Sequence, residues 1–207
     1  MNIAIIGKGK VGSALGAKFA AACHAVVYGS RTPDALAGTS NQADAVRAAD
    51  VIITAIPGTA VIPTLEAIGE DVLADKIVLD VSAAMTADWA LVHPNDSVAR
   101  QVQARFPRAR VVKSLNTMNY SVMVDPLTSL SQATVFVSGD SQDAKGTVNE
   151  LLADLGWLPE MILDLGGVDT AKGTEHLAPL FLSTFTALQT MRFNFTVSRD
   201  SNERSVA

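Results

Sequence analysis

Near the start of the chain, Gly7-Lys8-Gly9-Lys10-Val11-Gly12 carries the chemistry most directly named from residue type and spacing. The stretch fits G-x-G-x-x-G, and Gly16 follows one helical turn later. In that pattern one glycine makes a tight turn, one lets a pyrophosphate approach the backbone, and one lets helix and strand pack closely. The flanks agree. Asn2-Ile3-Ala4-Ile5-Ile6 reads as a strand buried on both faces, residues 11–22 are small and helix-forming, and His24-Ala25-Val26-Val27-Tyr28 reads as a second strand. The N–H groups and dipole at the start of that helix favour a bound anion. A dinucleotide is therefore expected against Gly7, Lys8, Gly9, Lys10, Val11 and Gly12.

The end of the second strand selects the nucleotide. An NAD site usually places Asp or Glu there to hold the ribose 2′-hydroxyl. This chain has Gly29-Ser30-Arg31-Thr32 instead. A hydroxyl from Ser30 and a guanidinium from Arg31 suit a 2′-phosphate, and Lys8 and Lys10 add positive charge. NADP is expected rather than NAD.

The elements that would position these residues alternate along the chain. After a loop over Thr32–Gln42, a helix is expected through Ala43–Ala49, a strand over Val51–Ile56 and a helix through about Ala60–Gly69. Strands follow at Ile77–Val81, Val111–Leu115 and Ala133–Ser138, with a helix near Ser97–Phe106. This order implies an α/β fold, a Rossmann-type doubly wound parallel sheet. Ligands bind such sheets at the carboxyl ends of the strands. That rule picks out Gly7–Gly12, Gly29–Thr32, Ile56–Gly58, Ser82–Met85 and Asn116–Asn119 as rims of one crevice, with the nicotinamide toward Pro57, Ala83 and Asn116.

Beyond Ser141 the pattern changes. Ser141–Leu155 reads as a helix capped by Ser141 and stopped by Gly156. Trp157–Leu165 suits an edge strand, since it contains Pro159. Residues 169–195 read as one long helix, with Leu177, Phe181, Leu188, Met191 and Phe195 at three- and four-residue steps, and Pro179 kinking it or falling in its first turns. The expected organisation is an NADP-binding domain over 1–150 and a small, helical C-terminal region over 151–207, which packs on the sheet domain and could meet a second subunit.

Composition narrows the function classes. Hydrophobic residues make up 48% of the 207 and charged residues 18%, enough apolar material for a filled core. A net charge of −5 argues against a general nucleic-acid surface. The single cysteine, Cys23, leaves no intrachain disulfide and reads as a small buried hydrophobe. No secretory leader and no long apolar run is visible, so a cytoplasmic protein without a membrane span is expected. His24, His93 and His176 are widely separated and show no metal-ligand spacing. His24 reads as structural, Glu175 and His176 as a solvated face or a polar contact to the core, and Asp80 as a buried-carboxylate candidate.

The missing acid–base constellation is itself informative. Hydride transfer between two bound rings needs alignment and exclusion of water more than proton transfer. A dehydrogenase acting on an alcohol would need a proton carrier, and the strand-end loops offer only Tyr120 and Lys113.

The chain resembles the NADP-dependent oxidoreductases that use the deazaflavin coenzyme F420, and their bacterial relatives. The matching stretches are the glycine loop, Tyr28-Gly29-Ser30-Arg31, Ala55-Ile56-Pro57, Val111-Val112-Lys113-Ser114-Leu115-Asn116-Thr117 and Val137-Ser138-Gly139-Asp140. Near the end they are Leu155-Gly156, Asp164-Leu165-Gly166, Glu175 and Met191-Arg192-Phe193-Asn194. The resemblance implies NADP against residues 8–11, Ser30 and Arg31, and a nicotinamide bordered by Ile56, Pro57, Ala83, Asn116, Thr117 and Met118. Asn116 and Thr117 are the candidates nearest the chemistry. It also implies coenzyme F420, or a flavin in bacterial relatives, as hydride acceptor; the homodimer expected through the C-terminal helix rests on the broad apolar stripe of that helix. Two other readings stay open, an NADP(H)-sensing module without turnover and a small imine or hydroxy-acid dehydrogenase.

Overall fold

In a computed structural model, which describes residues 1–34, 38–128 and 130–198, the strands send alternate side chains to two covered faces. Ile3 and Ile5 of β1 (Asn2–Ile6) point to one core, and Ala4 and Ile6 point to the other. Period-two alternation with apolar residues at every position is what a strand buried on both sides requires. The first core is closed by α1 (Lys10–Ala21) through Leu15 and Phe19. The second is closed by α2 (Gln42–Arg47) and α3 (Gly58–Ile68), through Val46, Val61 and Leu65.

The other strands are β2 (Ala25–Ser30), β3 (Thr39–Asn41), β4 (Val51–Thr54), β5 (Ile77–Asp80), β6 (Arg110–Ser114), β7 (Val135–Gly139) and β8 (Ile162–Asp164). They form one eight-stranded sheet in the order β3-β2-β1-β4-β5-β6-β7-β8. Every pairing is parallel except β6 with β7, which is antiparallel. The doubly wound sheet is as expected, apart from β7 and β8, which both run opposite to the other six strands. The remaining helices are α4 (Glu70–Leu73), α5 (Val98–Arg105), α6 (Tyr120–Met123), α7 (Gln142–Asp154), α8 (Ala171–Glu175) and α9 (Ala178–Leu188). Ser141 caps α7 by accepting from the Ala144 N–H at 3.2 Å, and Gly156 follows that helix with φ +97°.

Some sequence expectations are corrected. Thr39–Asn41 adds a short edge strand inside the segment expected to be loop, residues 35–37 of which lie outside the described residues. The long helix over 169–195 is broken. A 3₁₀ turn at Val168–Thr170 leads into α8, and α9 stops where Gln189 takes a left-handed conformation at φ 54°. Pro179 does fall in the first turn of α9. The chain beyond runs non-helical back to the start of β7, where Asn194 Oδ1 accepts the Thr134 N–H at 2.8 Å. Cys23 is exposed rather than buried, because it turns the chain after α1 at φ 65°. Residues 199–207 of the expected C-terminal region lie outside the described residues.

Candidate active site

The glycine loop leaves β1 and enters α1 with little space to spare. A Cβ on Gly7, whose φ is +107°, would run into the Ala55 carbonyl oxygen, and a Cβ on Gly12 would run into the Gly7 carbonyl. Gly9 differs: a Cβ there would meet nothing within 4 Å. Two glycines therefore let the chain pack on itself, while Gly9 leaves open space at the start of α1. The N-terminus of α1 has no side-chain cap and no acid in its first turn. Its N–H groups suit a pyrophosphate, so the residues present fit a dinucleotide.

Gly9, Lys10 and Val11 form one side of a cleft of about 300 Å³, and Ala55, Ile56, Pro57, Val81 and Ser82 form the other. At the end of β2, Ser30 Oγ accepts the Thr32 N–H at 3.1 Å, a local turn that presents Arg31 to solvent. Arg31 makes no ion pair among the described residues. The Lys8 ammonium lies 5.1 Å from the centre of the Tyr28 ring. Burial raises the Tyr28 phenol above its usual value.

Next to this cleft is a second, more apolar one of about 320 Å³. Ala83, Met85, Trp89, Asn116 and Met118 line it from the strand ends, and Ala178, Phe181, Leu182 and Met191 line it from the C-terminal segment. Ser82 borders the first cleft and Ala83 the second, so the two meet across one peptide bond. The wall between them is tightly fitted, since a Cβ on Gly58 would lie 2.5 Å from the Ala84 nitrogen. Leu115, immediately before Asn116, is held at φ 64°, a strained conformation for a branched residue. Asn116 Nδ2 is buried with no hydrogen-bond partner among the described residues. Thr117 and Met118 are buried beside it. A further concavity, about 550 Å³, lies away from the glycine loop, between Ala133–Thr134, Leu158–Met161 and Thr196–Ser198. It contains none of the expected site residues.

Beneath the two clefts is a buried ionic cluster. The Lys113 ammonium donates to Asp80 Oδ2 at 2.7 Å, to Glu175 Oε1 at 2.8 Å and to the Ser82 carbonyl. Asp80 Oδ1 also accepts from Thr54 Oγ1 at 2.7 Å and Ser82 Oγ at 2.8 Å. Glu175 Oε1 accepts the Val98 N–H at 2.9 Å. Burial pushes the Glu175 carboxyl above its usual value, against the pull of the Lys113 charge. Lys113 is fully buried with its three donors occupied, which removes it as a proton carrier facing the crevice.

Sequence reasoning missed one of these features and left another open. The sequence leaves Glu175 between a solvated face and a polar contact to the core, and its contact with Lys113 decides for the second. Trp89 lies in a stretch without periodicity. His24, by contrast, is tied structurally as expected, with Nε2 2.8 Å from Asp154 Oδ2. Among the described residues no group of three or more His, Cys, Asp or Glu is placed to hold a metal ion, and no helix is long and apolar enough to cross a membrane.

Residues 2–84 match the model of the family described as NADP oxidoreductase coenzyme F420-dependent. The chain is also 35% identical to a crystal structure from Arthrobacter sp. FB24, provisionally named an F420-dependent NADP reductase. That likeness covers 96% of this chain and 100% of the other, with a TM-score of 0.88. The chain belongs to the F420-dependent NADP oxidoreductase family. Within curated relatives, it is 26% identical to the F420-dependent NADP reductase of Methanothermobacter thermautotrophicus over 88% of both chains. It is 30% identical to metalloreductase STEAP3 of Rattus norvegicus over 85% of its own length, but spans only 36% of that protein. The family match ends at residue 84, so it takes in the glycine loop, Ser30, Arg31, Pro57 and Ala83 and stops short of Asn116 and α9.

Proposed function

We propose that the protein is an NADPH-dependent reductase that passes a hydride to a flat ring acceptor, a deazaflavin or a flavin. The observation that carries this reading is the adjacency of the two clefts, one against the glycine loop and one apolar, meeting at Ser82 and Ala83. NADPH, when bound, supplies the hydride from its nicotinamide. In this reading Gly9, Lys10 and Val11 hold the pyrophosphate, and Ser30 and Arg31 hold the 2′-phosphate. Ile56, Pro57 and Ala83 border the nicotinamide. Asn116 supplies a donor whose position is set by the strained Leu115, with Thr117 and Met118 packing behind it. The apolar side chains of the second cleft keep water out, which is what direct transfer between two aligned rings needs. The expected homodimer belongs to the same proposal. Leu180 and Leu188 on α9 are 50% and 55% exposed and supply apolar area that a second copy would cover.

The test is anaerobic stopped-flow oxidation of NADPH against a 5-deazaflavin, FMN, FAD, a quinone and a cyclic imine. Turnover with the flavin-like rings, and a primary isotope effect with C4-deuterated NADPH, is the expected result. Binding without oxidation of NADPH by any of them would favour a sensor, and turnover only with the imine would favour the small dehydrogenase.

A further inference from the structure

One side chain on the rim of the apolar cleft is costly to keep where it is. Trp89 is 62% exposed, so its indole gains little from burial. Its backbone has φ 66°, the left-handed region that disfavours a large side chain. The conformation is imposed by the loop after β5, which closes as a small hairpin. The Val92 N–H donates to the Ala84 carbonyl at 3.0 Å, and Met85 bridges Leu91 in antiparallel fashion. At the tip, the Thr86 N–H donates to the Ala90 carbonyl at 2.8 Å and the Trp89 N–H to the Thr86 carbonyl at 3.1 Å. Thr86 Oγ1 accepts the Ala90 N–H at 2.9 Å. The hairpin starts from Ala83 and Ala84, the residues packed against Gly58, so its base is fixed in the wall between the two clefts. A braced loop thus holds an exposed indole at the mouth of the cleft, where Met118, Phe181 and Met191 form other parts of the lining.

Resting on the function proposed above, we infer that Trp89 is a stacking platform that selects acceptors with an extended fused ring, an isoalloxazine or its 5-deaza counterpart. An indole offers a large flat π surface at low conformational cost, and such a surface rewards a fused tricycle far more than a small imine or a one-ring quinone. Asn116 lines the same cleft and would meet a polar edge of the ring.

Tryptophan emission gives a direct readout. The chain has two tryptophans, and Trp157 is 1% exposed with its Nε1 donating to the Met123 carbonyl at 3.0 Å. Titration of the NADP-loaded protein with FMN or a 5-deazaflavin, corrected for absorbed light, should quench the exposed fluorophore. Trp89→Leu should abolish that quenching and raise the acceptor KM about tenfold, with NADPH affinity unchanged. Trp89→Phe should recover most of the loss. Trp89→Gly, relieved of the left-handed strain, should melt no lower than wild type and still bind acceptor poorly. Quenching that survives in Trp89→Leu, or an unchanged acceptor KM in an enzyme that turns over, would overturn the platform and leave the reductase reading intact. Exposed-tryptophan emission that changes on dilution without ligand would instead assign Trp89 to contact with a second copy. Absence of turnover with every acceptor in wild type would sink the reductase reading, and the platform with it.

Discussion

Lys113 Nζ lies 2.8 Å from Glu175 Oε1, joining the end of β6 to the last residue of α8 across 62 positions of sequence, with both side chains shut off from solvent. The same ammonium grips the Ser82 carbonyl, so one cation ties the wall between the clefts to the segment leading into α9. Breaking such a buried pair by removing one partner typically costs about 3–5 kcal/mol, because the remaining charge is left without compensation.

The Glu175 proton makes the cluster sensitive to pH. Its carboxyl is pushed above its ordinary value by burial, so the folded chain holds that proton more tightly than the unfolded one. The resulting stability is full below the ordinary carboxylate value of 4.5 and is lost as pH rises through the folded value. Glu175→Gln keeps an acceptor for Lys113 and for the Val98 N–H but cannot titrate. Thermal melts in closely spaced steps upward from about pH 4 should show a decline across that window in wild type and a flatter profile in the variant. An equally steep profile in Glu175→Gln would place the titration elsewhere.

Arg31 is expected to carry the choice of nucleotide. Calorimetry should give NADP(H) at least about tenfold tighter than NAD(H), since a charge-assisted hydrogen bond is worth about 1.5–3 kcal/mol. Arg31→Ala should lose most of that preference and leave NAD binding nearly unchanged. A variant that still prefers NADP as strongly as wild type would remove Arg31 from the 2′-phosphate.

The two glycines of the loop should fail in different ways. Gly9→Val adds atoms only to open space, so native circular dichroism should persist while dinucleotide binding is lost. Gly12→Ala drives a methyl into the Gly7 carbonyl and should lower stability by about 1–3 kcal/mol, whatever it does to binding. Normal NADPH affinity in Gly9→Val would show that the pyrophosphate lies elsewhere.

The nucleotide half was readable in advance because its signals are local. Ile3 to Ile6 are apolar at every position because neighbours cover both faces, and Gly7 and Gly12 are required by contacts within a few residues or with the chain leaving the adjacent strand. The failures come from long-range packing. Met191 and Phe195 continue the helical repeat of Phe181 and Leu188, yet they lie beyond the end of α9. Phe193 stacks on Phe181 at 4.7 Å between ring centres and meets Phe195 edge-on at 5.8 Å, so an aromatic cluster anchors this segment where the repeat suggests a helix. β3 has only Thr39, Ser40 and Asn41, polar residues with no alternating pattern. Glu175 stays open between a solvated face and a contact to the core until Lys113 is seen beside it.

The apolar cleft also has a history built into its order along the chain. The lining of the glycine-loop cleft ends at Ser82, whereas the apolar cleft needs Ala178, Phe181, Leu182 and Met191. During synthesis about a hundred further residues must leave the ribosome between those points, several seconds of elongation. A nascent chain stopped in that interval would own every residue of the nucleotide cleft and none of the α9 wall. The residues that line the glycine-loop cleft and those that complete the apolar cleft therefore become available at separate times in the synthesis of each molecule, in that order.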